Sequence, residues 1–218
     1  MKRALAFLVC LGFSHPLFAE EASPAAAQTS APAPAPETVW VDDDLPPDAK
    51  PDVNWVWDTA TVNSGAKSHG HASAKGLQGH GFMGDPVSIP ANGMIVQQVW
   101  LDPQDPPKGI MLKFKLSSGE EVGVYWEGEE EVFFPKEDEE VWYYGLLPEL
   151  GKWTSLEILA EDLGLEDEKV IGLTFVTFDC HVLWYKTSLK AAPPAEEIGS
   201  FPSVIPSAAP SGSDGTAE

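Results

Sequence analysis

Ile110-Met111-Leu112-Lys113-Phe114-Lys115-Leu116, followed beyond Ser117-Ser118-Gly119 by Gly123-Val124-Tyr125-Trp126, decides the fold class. Leu112, Phe114 and Leu116 fall on one side of an extended chain, and Lys113 and Lys115 fall on the other. A repeat of two with one apolar face is the signature of a half-buried strand. The Ser-Ser-Gly turn and the second apolar run make the pair a hairpin. The same rhythm extends outward in both directions. Met94–Leu101 reads as a strand ended by Asp102-Pro103-Gln104-Asp105-Pro106-Pro107, and Trp153–Leu159 alternates likewise. Ile171–Phe178 is β-branched and aromatic, and Val182–Tyr185 reads as a last, short strand. Only Ala160–Leu163 offers a helical turn. Short strands separated by Pro, Gly and Asp turns predict an all-β chain, an antiparallel β-sandwich.

The 218 residues divide by composition. Residues 1–19 carry Lys2 and Arg3, the apolar run Ala4–Phe13 and a small residue, Ala19, which is the pattern of a secretory signal peptide. The apolar run is too short to span a bilayer, and no other segment is apolar enough to do so. The chain is therefore expected to be exported, to the periplasm or beyond. Residues 20–37 are an Ala/Pro-rich linker, 38–190 hold all eight tryptophans and form one domain, and 191–218 read as a disordered tail.

The net charge is −21, and with Lys2 and Arg3 cleaved off, 11 basic against 34 acidic side chains leave −23. Such a surplus argues against nucleic acid and anionic membrane surfaces as partners. Removal of Cys10 leaves Cys180 alone, so no intramolecular disulfide staples the domain and Cys180 reads as a small buried apolar residue.

Several constellations could carry chemistry. Ser68-His69-Gly70-His71 and, further on, His80 place three of the five histidines in one glycine-rich stretch, read as a long loop. Three imidazoles could hold zinc, but the spacing matches no specific ligand pattern, and a scaffold role fits better. Asp42-Asp43-Asp44 could supply oxygens to calcium together with Asp102, Asp105 or Asp179, or could simply shape the turn before Leu45-Pro46-Pro47. The acid-rich stretch 127–140 reads as a solvated loop from which Phe133 and Phe134 could pack onto the sandwich. Trp126, Trp142, Tyr143 and Tyr144 are candidate platforms for stacking sugar rings, set against the packing role common to strand aromatics. No nucleophile elbow, zinc-protease helix motif or phosphate loop is present, so a non-enzymatic role is expected.

The order of motifs resembles a domain family. VWVDDDLPPDAKP (39–51), WVW (55–57), VWLDPQDPPKGIMLKF (99–114), VYWE (124–127), GLLPELGKWTSLEILAEDLGL (145–165) and IGLTFVTFDCHVLWYK (171–186) follow its sequence of segments. The family is a jelly-roll, carbohydrate-binding-module-like β-sandwich of galactose-binding-like type. It is appended to large secreted bacterial proteins, including planctomycete-type cytochrome-c-containing proteins and RHS/YD-repeat surface proteins. The resemblance implies a non-catalytic module with no defined ligand, and implies that His69 and His80 are recurring positions while His71 is not; polysaccharide or cell-envelope components are the partners expected here. Where the family tends towards an Asp after its late Trp, this chain has Trp184-Tyr185-Lys186. That departure weakens the calcium reading. The alternatives are a structural or protein-interaction sandwich and, last, a metal-dependent enzyme using the histidines.

Overall fold

A computed structural model describes residues 37–52, 55–128, 130, 132–133 and 139–192, with the backbone of 205–206. Its strands, in chain order, are β1 Thr38–Val41, β2 Lys50–Pro51, β3 Val56–Asp58, β4 Ser68–Gly70, β5 Ala74–Ser88, β6 Gly93–Leu101 and β7 Gly109–Leu116. They continue with β8 Glu121–Glu127, β9 Glu140–Leu146, β10 Trp153–Leu159, β11 Lys169–Cys180, β12 Val182–Ala191 and β13 Ile205–Pro206. A 3-10 turn, Glu161–Leu163, stands where the helical turn was expected. No helix among the described residues is long and apolar enough to cross a membrane.

Two sheets result. The first runs β10-β6-β12-β4-β3, with β1 also on β12, and the second runs β13-β9-β8-β7-β11-β5-β2. From β5 to β7, and again from β9 to β12, the chain passes from one sheet to the other at every step, the habit of a jelly roll. The hairpin that opened the sequence reading pairs antiparallel, Leu112 opposite Val124 and Phe114 opposite Val122. Its inward residues Leu112, Phe114 and Val124 share one core with Ile95, Val99, Leu101 and Trp184 of the other sheet. The Phe175 and Trp184 rings meet across that core at 5.3 Å. The two sheets pack face to face as the alternating pattern requires.

Three features differ from the sequence expectation. First, β8 and β9 pair in parallel, Val122 with Glu140 and Val124 with Trp142. A parallel pair needs a crossover of about a dozen residues or more, and residues 128–139 supply it. The acid-rich stretch is thus a connection that ends in a strand. Second, the long loop expected around the histidines is two strands, β4 and the first part of β5. β5 is rich in glycine, which weakens the local strand signal, yet it pairs with β11 along its length, His80 opposite Phe175 and Phe82 opposite Leu173. A Cβ at Gly81 would lie 2.7 Å from the Leu173 carbonyl oxygen, so glycine lets β5 seat closely on β11. Third, within the expected tail, Ala191 closes β12, and 205–206 pair with Tyr143 and Trp142 of β9. The expected leader 1–19, linker residues 20–36 and tail residues 193–204 and 207–218 lie outside the described residues.

Candidate functional site

The histidines come from both sheets. His69 sits on β4 opposite Trp184, His80 sits on β5, and both are fully buried. His69 Nδ1 and His80 Nε2 lie 2.8 Å apart, so one ring donates a hydrogen bond and the other accepts it. The pair is enclosed by aromatic rings: Trp55 is 4.6 Å from His69 and 4.7 Å from His80, and Phe175 stacks on His80 at 5.1 Å. The Trp55 indole N–H donates to the Gly81 carbonyl at 2.6 Å, fixing that ring on the seam. Burial holds His69 down to about 3, only partly offset by the Tyr185 backbone. Burial, then the charges of His69 and His71, holds His80 well below its ordinary value. Both are neutral at physiological pH.

His71 turns elsewhere, hydrogen-bonding through Nε2 to the Thr177 hydroxyl and through Nδ1 to the Ala72 carbonyl. The zinc set of His69, His71 and His80 is therefore corrected: two of the rings bond to each other and the third bonds to a threonine. No group of three metal-ligating side chains able to hold an ion occurs among the described residues. These residues join the sheets by packing and hydrogen bonding.

The aspartates are turn-makers. Asp43 Oδ1 accepts from the backbone N–H of Ala66 at 2.7 Å and of Lys67 at 2.9 Å, and Asp44 Oδ1 accepts from Leu45 N–H at 2.9 Å. Asp42 lies against the Tyr185 hydroxyl, where burial, Asp42 and Asp43 raise the tyrosine. Asp102 pairs with His181 at 3.1 Å, Asp105 accepts from the Ser73 hydroxyl, and Asp179 accepts from Gly76 N–H. Calcium would need six or more converging oxygens, and these carboxylates are instead committed to separate partners. Cys180 is fully buried, and burial pushes its thiol up to about 11, which keeps it unreactive.

The expected sugar platforms divide by strand face. Trp126 and Tyr144 point inward and are buried, so neither offers a ring face to solvent. Tyr144 is held further by donating to Asp162 at 2.9 Å and accepting from Leu159 N–H at 3.2 Å. That corrects both as stacking residues; together they only back a small depression beside exposed Leu146. Trp142 is partly buried against the same core. Tyr143 alone lies on the outer face, part-exposed and 5.5 Å from Tyr125.

That outer face of the second sheet holds a groove with an apolar lining. Met111, Tyr125, Phe133, Val141 and Val176 make a second apolar cluster there, flanked by Val132, Tyr143 and Phe178. Over it runs a groove of about 420 Å³, lined by Leu77, Met111, Phe133, Thr174, Val176 and Phe178, with Lys113 and Glu139 also in its lining. Leu77 is 61% exposed. The buried Glu127 carboxylate anchors one wall by accepting from the N–H groups of Val132 at 3.0 Å and Phe133 at 3.4 Å. Phe133 then lies edge-on to Tyr125 at 5.5 Å. The packing of Phe133 matches the sequence expectation, while Phe134 lies outside the described residues. Sequence reasoning missed Leu77, Met111, Thr174, Val176 and Phe178. Their signal was present as apolar runs that break alternation, Ile110-Met111 and Phe175-Val176, where both faces of a strand are apolar.

No family model matches this chain, and no curated protein matches it. Among solved structures it is similar to the glycoside hydrolase domain of Endo-D from Streptococcus pneumoniae R6, at 8% identity, 66% of this chain, 21% of that one and TM-score 0.39. It is also similar to a carbohydrate-binding module of the β-sandwich superfamily, at 10% identity, 71% of this chain, 55% of that one and TM-score 0.33. The chain thus spans about a fifth of the first and just over half of the second. At such values nothing about a ligand follows from either likeness.

Proposed function

We propose that this chain is an exported, non-catalytic module that binds carbohydrate of a polysaccharide or of the cell envelope, in the groove on the outer face of the β9-β8-β7-β11-β5 sheet. One observation carries the reading. Strand positions that face away from the sandwich core, where polar residues are the rule, here hold Met111, Tyr125, Val141, Tyr143, Val176 and Phe178. An apolar floor with Thr174, Lys113 and Glu139 within reach fits a sugar, whose ring has an apolar face and a hydroxyl rim. The polar groups would orient the sugar and the apolar floor would hold it.

The test is titration calorimetry of the chain from residue 20 onward against a panel of soluble polysaccharides, repeated with Phe178→Ala and Val176→Glu. Binding to at least one glycan, weakened by both substitutions in a folded protein, is expected. Failure to bind any glycan in the panel would overturn the reading. It would leave the second one, a protein-interaction sandwich, for which the exposure of Leu77 on the same face speaks.

A further inference from the structure

Resting on the reading of the chain as a carbohydrate module, we infer a second site on the outer face of the first sheet, an aromatic shelf for uncharged pyranose polymers. Val99 and Leu101 of β6 are fully buried in the main core, so Trp100 between them faces the other way. Trp153 of β10 lies opposite Trp100 in one antiparallel pair, and Leu183 of β12 lies opposite it in the next. Residues opposed across a pair share a face. These three therefore form an apolar row across three strands, on a face where polar residues are the rule, and both tryptophans stay part-exposed.

A polar row runs beside the apolar one. Two residues along each strand, about 7 Å away, Gln98 and Ser155 face each other on the same side of the sheet. The Gln98 amide donates to the Ser155 hydroxyl, and its carbonyl accepts from the Asn63 amide at 3.3 Å. Those bonds orient all three side chains and leave the Ser155 hydroxyl proton and the Asn63 carbonyl without a partner among the described residues. His181, its ring 6.5 Å from that of Trp100, is held through Nδ1 by Asp102 at 3.1 Å, so Nε2 is left for a ligand. Trp153 is steadied in turn by the Tyr185 ring at 6.1 Å.

A pyranose ring has an apolar face and a rim of hydroxyls that both donate and accept. Part-exposed indoles suit the face. Ser155 offers the rim a donor, Asn63 an acceptor and His181 either, according to its tautomer. All three are oriented before a ligand arrives, which lowers the cost of binding. Charge narrows the class of sugar. The charged groups nearest in these strands are already paired, Lys190 with Glu157 at 3.4 Å, Lys152 with Glu149, and His181 with Asp102. The shelf is thus close to neutral within a chain of net charge −21, whose field repels polyanionic glycans and leaves uncharged ones unaffected.

The experiment is titration calorimetry of the chain from residue 20 onward with a mixed-linkage β-glucan, a galactomannan and an arabinoxylan, and with polygalacturonate as the anionic comparison. At least one uncharged polymer is expected to bind, with an affinity that is the same at low and high salt. Trp100→Ala and Trp153→Ala are each expected to weaken it about tenfold, as the loss of one stacked ring would. Trp100→Phe, which keeps a flat ring, should retain most of it. Ser155→Ala, at an exposed position, should weaken it about threefold and serves where a tryptophan variant does not fold. Phe178→Ala reports on the groove. Loss in Phe178→Ala alone would overturn the inference and leave the groove standing, whereas loss in the shelf variants alone would support the shelf and bring down the groove. Tighter binding of polygalacturonate, or a Trp100→Ala variant that changes the oligomeric state in sedimentation, would overturn the inference. Failure of every polymer to bind would bring down the carbohydrate reading itself, and the shelf with it.

Discussion

Mild acidification should destabilise this protein through the His69–His80 pair, before its carboxylates titrate. His69 is fully buried and held to about 3 against an ordinary value near 6.5, and His80 shifts in the same direction. The folded state refuses a proton that the unfolded chain accepts. Stability is therefore complete above the ordinary histidine value and is lost as pH falls below it, continuing down towards the folded value. For His69 alone the loss grows at about 1.4 kcal/mol per pH unit and reaches about 2 kcal/mol at pH 5. His80 adds to that, although two rings 2.8 Å apart titrate as a pair and their contributions merge. The carboxylates with shifted values, Glu37 and Asp102, are lowered, so the stability they give is lost only as pH falls through the ordinary carboxylate range and below it. Urea unfolding followed by tryptophan fluorescence at pH 8, 6.5 and 5 reads the effect. The midpoint should fall steeply between 6.5 and 5, and a His69→Gln, His80→Gln variant, less stable at pH 8, should show a much flatter profile. A wild-type profile flat across that window, or a double variant as acid-sensitive as the wild type, would refute the reasoning.

Three further outcomes follow from the packing. Phe175→Ala should cost about 3–5 kcal/mol in urea unfolding, because its fully buried ring fills the space between His80 and Trp184. Gly81→Val should destabilise by about 1–3 kcal/mol, since even its Cβ would press within 2.7 Å of the Leu173 carbonyl and 2.8 Å of the Thr174 hydroxyl. A neutral effect would mean that β5 can move off β11. Glu127→Ala should leave the Val132 and Phe133 amides without their carboxylate, at about 1–3 kcal/mol for the buried groups. Hydrogen exchange at those two amides should speed up, and unchanged protection would show that Glu127 does not anchor that wall.

Strands that could be read from sequence are those whose two faces differ. β7, with lysines outside and Leu112, Phe114 and Leu116 inside, is of that kind, and β10 was bounded at Trp153 and Leu159 in agreement with the structure. β5 was not legible, because Gly76, Gly79 and Gly81 read as loop; the reason for Gly79 and Gly81 lies in another strand, the close backbone of β11, and Gly76 holds a φ of 80°. β9 was hidden by the acidic run that precedes it, and its parallel pairing with β8 is a tertiary choice that no local pattern states. The site was less legible than the fold. An aromatic on a strand can face either way, and a one-residue difference separates Tyr143 outside from Tyr144 inside. The histidines announced chemistry by their residue type, but their neighbours are Trp55 and Phe175, which come from elements far away in sequence. The groove is lined by Leu77, Met111 and Val176, ordinary residues that become informative only once the sheet shows which side they face.

The most direct test of the outer face as the binding surface is a backbone amide NMR titration of the chain from residue 20 onward with whichever soluble glycan binds. Shifts concentrated at Leu77, Met111, Lys113, Thr174, Val176 and Phe178, with Trp126, Tyr144 and the His69–His80 seam unmoved, are the predicted result. Shifts centred on the depression beside Trp126 and Leu146, or spread without a centre over the acidic surface, would contradict it.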